Sequence, residues 1–119
     1  MDIIEAVKKN DIKLVRSIIQ EGSDLNIQDR NGVTALMRAV DNSNAQIVDT
    51  LVSANVDLNL TDKYGQTALM IAAGRGNPKI VNLLLRAKAD ISIRAKHGMT
   101  AHDFARENGH PNIAQILKQ

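Results

Sequence analysis

Residues 29–61 lie over residues 62–94 without a gap, and 13 of the 33 positions are identical. Average composition gives about two such matches by chance. The same frame runs through the whole chain. Gly32, Gly65 and Gly98 are 33 apart, as are Thr34, Thr67 and Thr100, then Ala6, Ala39, Ala72 and Ala105, then Val15, Val48 and Val81. A chain of this kind is a row of like units, and a unit this small cannot bury its apolar stripe alone. The copies must stack and share one elongated core. Four copies are expected within a single domain spanning 1–119: 1–28, 29–61, 62–94 and 95–119. The first lacks its opening positions and the last stops after its second helix.

The grammar of one copy predicts its shape. After Thr34 come Leu36, Ala39 and Val40, the i, i+3, i+4 spacing of one helical face, and Thr34 is placed to cap the first free amides. Asn42, Ser43 and Asn44 break the pattern, and Ile47, Val48, Leu51 and Val52 give a second apolar stripe. The period then switches from 3.6 to 2 in Leu58-Asn59-Leu60-Thr61, as it does in Leu25-Asn26-Ile27-Gln28 and Ile91-Ser92-Ile93-Arg94. Each of these predicts an extended segment turning at Asn31-Gly32, Tyr64-Gly65 or His97-Gly98. The expected unit is hairpin, helix, helix. The fold class is therefore an all-α repeat solenoid, a stack of helix-turn-helix units with β-hairpin tips.

The ends look adapted to water. Asp2 and Glu5 have the spacing of a capping box, and in copy four Arg106 and Lys118 replace the apolar residues of Val40, Ala73, Val52 and Leu85. These matched caps favour a whole protein over a piece of a longer one. One Tyr, one Phe and no Trp leave Leu, Ile, Val and Ala to build the core. With no Cys, neither a disulfide framework nor a thiolate nucleophile is available, and the start MDIIEAVKKN carries no leader pattern. No segment is long and apolar enough to span a bilayer, so the expectation is a cytoplasmic monomer that does not meet the membrane.

The repeat resembles the ankyrin repeat family. The family's Gly, Thr-Pro-Leu-His, Gly-His, Val-Val-x-Leu-Leu-Leu and Gly-Ala-Asp-Val-Asn landmarks are similar to Gly65, Thr67-Ala68-Leu69-Met70, Gly76-Asn77, Ile80-Val81-Asn82-Leu83-Leu84-Leu85 and Lys88-Ala89-Asp90-Ile91-Ser92. The family's Pro is Ala35, Ala68 and Ala101 here, and its His is Met37, Met70 and Asp103. Its helix-ending Gly is kept as Gly22 but becomes Asn55 and Lys88. A left-handed residue at that place suits Gly and Asn but costs a Lys ~1 kcal/mol or more. The resemblance implies a protein-binding scaffold that grips partners with its hairpin tips and the exposed side of its first helices, without catalysis and without a cofactor.

The residues themselves offer little chemistry. His97, His102 and His110 all fall in copy four, with no HExxH pattern and no Cys to complete a zinc set. His102 takes the place of Leu36 and Leu69, and His110 matches a turn position, so both read as structural. Gly74-Arg75-Gly76-Asn77 lacks the lysine and the preceding strand of a phosphate loop. Met37 and Met70 read as packing residues.

Charge is uneven. Copies one and two hold 6 basic and 9 acidic residues, net −3, while copies three and four hold 9 basic and 4 acidic, net +5. The basic half reads first as a solvated end, next as a surface for an acidic protein, and last as a polyanion or nucleic-acid site. Its cations fall on several faces, and the chain has almost no aromatic surface on which bases would stack. Positions that vary while the frame holds are those released from stacking. They nominate Arg30, Asn31, Val33, Lys63, Tyr64, Gln66, Lys96, His97 and Met99 at the tips, and Asp41, Asn42 and Arg75 after the first helices, as partner-binding residues. The only Tyr, Tyr64, sits at a tip as a candidate hot spot.

Overall fold

The computed structural model describes residues 1–118. It contains four helix pairs: α1 (Ile3–Lys8) with α2 (Ile12–Gln20), α3 (Ala35–Asp41) with α4 (Ala45–Ser53), α5 (Ala68–Arg75) with α6 (Pro78–Arg86), and α7 (Ala101–Glu107) with α8 (Pro111–Ile116). The first helices pack in the order α1, α3, α5, α7, and α2, α4 and α6 form a second layer behind them. The stack measures 39 × 26 × 22 Å.

Helices of six to nine residues are too short to hold themselves together in water, so their ends and their packing must do so. Asp2 and Glu5 form the expected capping box, and Thr34, Thr67 and Thr100 accept from the amides of Met37, Met70 and Asp103. Asp11, Asn44 and Asn77 cap the second helices in the same manner. Thr34 and Thr67 are themselves buried, so each cap is shielded from competing water.

Packing follows the repeat frame. Ala6, Ala39, Ala72 and Ala105 are completely buried, one above another through the stack. Two further methyls at any of them would overpack the column at a cost of ~1–3 kcal/mol. Val15, Val48, Val81 and the large side chains Ile47, Leu51, Ile80 and Leu84 fill the space between the two layers. In the last copy Arg106 is exposed and pairs with Asp103 and Glu107 at 3.4 and 3.7 Å, as a residue at the end of a shared core should.

The tips differ from the expected hairpins. Among the described residues no strand forms; the tips of copies two and three are turns each tied down by one aspartate, and the tip of copy four, with Ala95 in that place, is a single turn at Lys96–Gly98 held by backbone bonds. Asp29 Oδ1 accepts from the Asn31 and Val33 amides, and Asp62 Oδ1 from those of Tyr64 and Gln66, all within 2.8–3.0 Å. Neighbouring tips share a single backbone bond: Lys63 N–H donates to the Asn31 carbonyl (2.9 Å) and Lys96 N–H to that of Tyr64 (3.1 Å). Side chains supply the remaining links. Gln28 Nε2 donates to the carbonyls of Gly32 and Thr61, and Asn26 and Asn59 accept from the amides of Asp57 and Asp90 one copy further on. A strand ladder needs consecutive backbone pairs, and consecutive copies here touch at isolated points.

Close approach at the tips explains one conserved element of the frame. A Cβ on Gly32, whose φ is +77°, would stand 3.0 Å from the Cα of Asp62. The next tip therefore sits directly on this backbone. At the end of the second helices, Asn55 and Lys88 are left-handed at φ 63° and 74°, matching Gly22 at 77°. The strain expected at Lys88 is present.

Candidate functional site

The tips and the first helices enclose a groove of about 530 Å³ across copies two to four. Its floor is apolar: Met37 and Met70, which expose only 2% and 1% of their surface, with Ile71 and Phe104 beside them. Val33, Asp62 and Gln66 form the side nearest the tips, and Asp41, Arg75 and Asn108 the side nearest the inter-helix turns. Gly74, in the last turn of α5, opens the space between them. An added Cβ there would meet Asn108 Nδ2 at 3.6 Å and Phe104 Cδ1 at 4.0 Å, ordinary contacts pointing at the groove lining.

Two ion pairs occupy the rim. Arg75 donates through Nε and Nη2 to Asp41 Oδ1, at 3.1 and 2.6 Å, joining copies two and three. Arg38 Nη2 stands 3.6 Å from Asp29 Oδ2. The Val33 amide, with help from Asn31 and Arg38, holds the Asp29 carboxyl below the ordinary carboxylate value despite some desolvation. In copy four Asp103 is lowered in the same direction, chiefly by the Thr100 amide it accepts from at 3.0 Å. Asp103 thus caps α7 with the side chain that stands at the Met37 and Met70 place.

Twelve residues were nominated from sequence, and the structure brings four of them together: Val33, Asp41, Gln66 and Arg75 line the groove. Arg30, Asn31, Lys63, Lys96 and His97 are exposed on the tips above it, while Met99 is half-buried at the base of the last tip. His97 is left-handed, with φ 67°. Tyr64 is 53% exposed, with Lys63 Nζ 5.1 Å and Lys96 Nζ 5.9 Å from its ring centroid. Asn42 does not line the groove and reaches Asn10 Oδ1 at 3.5 Å instead. His102 and His110 are structural: His102 Nδ1 lies 2.7 Å from the Ala114 carbonyl oxygen, and His110 Nε2 3.1 Å from that of Gly74.

Sequence reasoning missed the middle of the groove. Glu5, Arg38, Ile71 and Phe104 occupy one position in the four copies, and no two are alike. The variation between copies that picked out the tips was present here too. It was obscured because apolar Ile71 and Phe104, read singly, look like core. Both are half-buried.

A stack of capped helix pairs with projecting tips and a groove between tips and first helices matches one known repeat architecture. A model of ankyrin repeats matches residues 3–95, in three copies. The chain belongs to the ankyrin repeat family. The pair α7–α8 lies beyond the matched residues and continues the same stack. Curated proteins gave no match to the chain. Ankyrin repeats are generally protein–protein interaction modules, typically without enzymatic activity. No helix of the described residues is long and apolar enough to cross a membrane.

Proposed function

We propose that this ankyrin repeat chain is a non-catalytic module that binds a protein partner through the groove and the tips above it. The observation that carries this reading is the groove itself. An apolar floor lies open beneath polar rims, in a size range typical of ligand sites, and its lining varies between copies while the stack behind it stays constant. Rigid presentation is the mechanism. The tips of copies two and three are fixed by Asp29 and Asp62, so little backbone freedom is lost there on binding. In this reading Arg30, Asn31, Val33, Lys63, Gln66, Lys96, His97 and Met99 contact the partner alongside Tyr64. Asp41 and Arg75 form one rim, and Asn42 is peripheral. Among the described residues the large hydrophobics that stand exposed are Met1, Tyr64 and Ile116, well separated in sequence, which favours a monomer.

Selection of displayed peptides or partner fragments on the immobilised protein, followed by counter-screening on Gly74→Leu, tests the proposal. That substitution fills the groove and replaces a helical glycine with a good helix former, so stability should not fall. Ligands retained by the wild type and released by Gly74→Leu are expected. If every selected ligand binds both proteins equally, the groove is not the binding site.

A polyanion site on the tips is the second reading, favoured by the two ammonium groups around Tyr64. It predicts retention on heparin that falls steeply with salt.

A further inference from the structure

The groove contains one carboxylate whose counter-ion has been replaced within the repeat itself. Asp29 and Asp62 are the same residue of successive copies, and each spends Oδ1 on the two amides of its own tip. In copy two the second oxygen of Asp29 faces Arg38 Nη2 at 3.6 Å. The residue one copy on from Arg38 is Ile71. Asp62 therefore lines the groove beside Ile71 with no ion-pair partner among the described residues, while the two guanidinium groups that line the groove, Arg38 and Arg75, are each matched to an aspartate. Phe104 follows at the same position of copy four, so the surface next to Asp62 is aliphatic and then aromatic.

From this juxtaposition we infer that the groove accepts one arginine side chain of an extended partner segment, with its guanidinium on Asp62 and its stem on Ile71 and Phe104. The inference rests on the groove being the protein-binding site. The incoming arginine supplies from the partner what Arg38 supplies to Asp29 within the chain. Arginine suits the site better than lysine because its weakly hydrated, planar head both meets a carboxylate and stacks on an aromatic ring. The tips above add a second requirement. Lys63 and Lys96 form no ion pair among the described residues and flank the exposed Tyr64, so the residues next to the arginine are acidic. A uniformly basic partner would be repelled at the tips, and a uniformly acidic one would leave Asp62 unmatched in the groove.

The test uses labelled synthetic peptides in which one arginine is flanked by glutamates, and the same peptides with citrulline, which keeps the shape and removes the charge. Binding is followed by amide chemical shifts of the whole chain. The expected result is a shift pattern centred on Asp62, Gln66, Ile71 and Gly74, with an affinity at least ~10-fold weaker for citrulline, in line with ~1.4 kcal/mol for a charge-assisted bond. Asp62→Asn retains Oδ1 for the Tyr64 and Gln66 amides and should lose the arginine preference. Ile71→Arg rebuilds the copy-two pair within copy three; it should abolish peptide binding and leave the melting temperature unchanged or higher.

Equal binding of arginine and citrulline peptides in the groove would overturn the inference and leave the protein-binding reading intact. An arginine preference that survives both Asp62→Asn and Ile71→Arg would also overturn it. Peptides that leave the groove resonances unmoved, together with selected ligands indifferent to Gly74→Leu, would remove both.

Discussion

Lys88 offers a direct measure of strain stored in the stack. It is the residue after the Ala87 cap of α6, at φ 74°, and its amide donates to the Leu85 carbonyl at 3.0 Å while the Ala89 amide donates to that of Leu84 at 3.1 Å. These two bonds close the helix end in a Schellman arrangement, which demands the left-handed backbone. For a residue with a Cβ that backbone costs ~1–2 kcal/mol. Glycine removes the penalty but loses ~0.5–1 kcal/mol to the greater freedom of the unfolded chain. The Lys88 side chain is exposed and forms no hydrogen bond or ion pair among the described residues, so nothing else is forfeited. Lys88→Gly should therefore stabilise by ~0.5–1 kcal/mol. An unfolding entropy of ~2.1 cal/mol/K per residue over a chain of this length converts that gain into a melting temperature ~2–4 °C higher. Thermal and urea melts followed by helical circular dichroism provide the assay, with Lys88→Ala as the control that removes the charge but keeps the Cβ. A Lys88→Gly protein that melts at or below the wild-type temperature, or a Lys88→Ala protein that gains as much, would refute the reasoning.

Two further outcomes are expected. Thr67→Val keeps the shape of a buried side chain but removes the oxygen that accepts from the Met70 amide at 3.3 Å, so it should cost ~1 kcal/mol in urea denaturation; full wild-type stability would mean that the cap contributes nothing. Asp29 and Asp103 have folded pKa values below the ordinary carboxylate value, so the stability they contribute is fully present above that value and is lost as pH falls through the lowered ones. Urea midpoints measured from about pH 5 downward should fall, and the double variant Asp29→Asn, Asp103→Asn should flatten that fall; an unchanged slope would show that other carboxylates set the acid limit.

The four-copy architecture was legible in the sequence because stacking imposes one requirement on every copy. Ala39, Ala72 and Ala105 must be small for the first helices to meet, and Thr34, Thr67 and Thr100 must cap helices too short to do without caps. Such constraints recur at fixed spacing and can be read by comparing the chain with itself. The tips as exposed, variable sites were legible for the converse reason, since nothing packs on them. Among the described residues the tips form no strand ladder, and this was not legible because alternation of apolar and polar residues reports only an extended segment with one buried side. Whether a neighbour supplies consecutive backbone partners depends on how far apart the copies sit.

The sequence by itself determined the repeat, the core, the caps and the strained place of Lys88, all of which are local or periodic properties of one unit. Only the tertiary structure decided what the varying residues build together. Arg75 is matched to Asp41, Arg38 to Asp29, and Asp62 is left beside Ile71 in a groove opened by Gly74. The Arg75–Asp41 pair joins two copies, and the other relations bring the tip of one copy onto that copy's own first helix. They depend on distances set by folding and stacking, which position in the 33-residue frame does not encode.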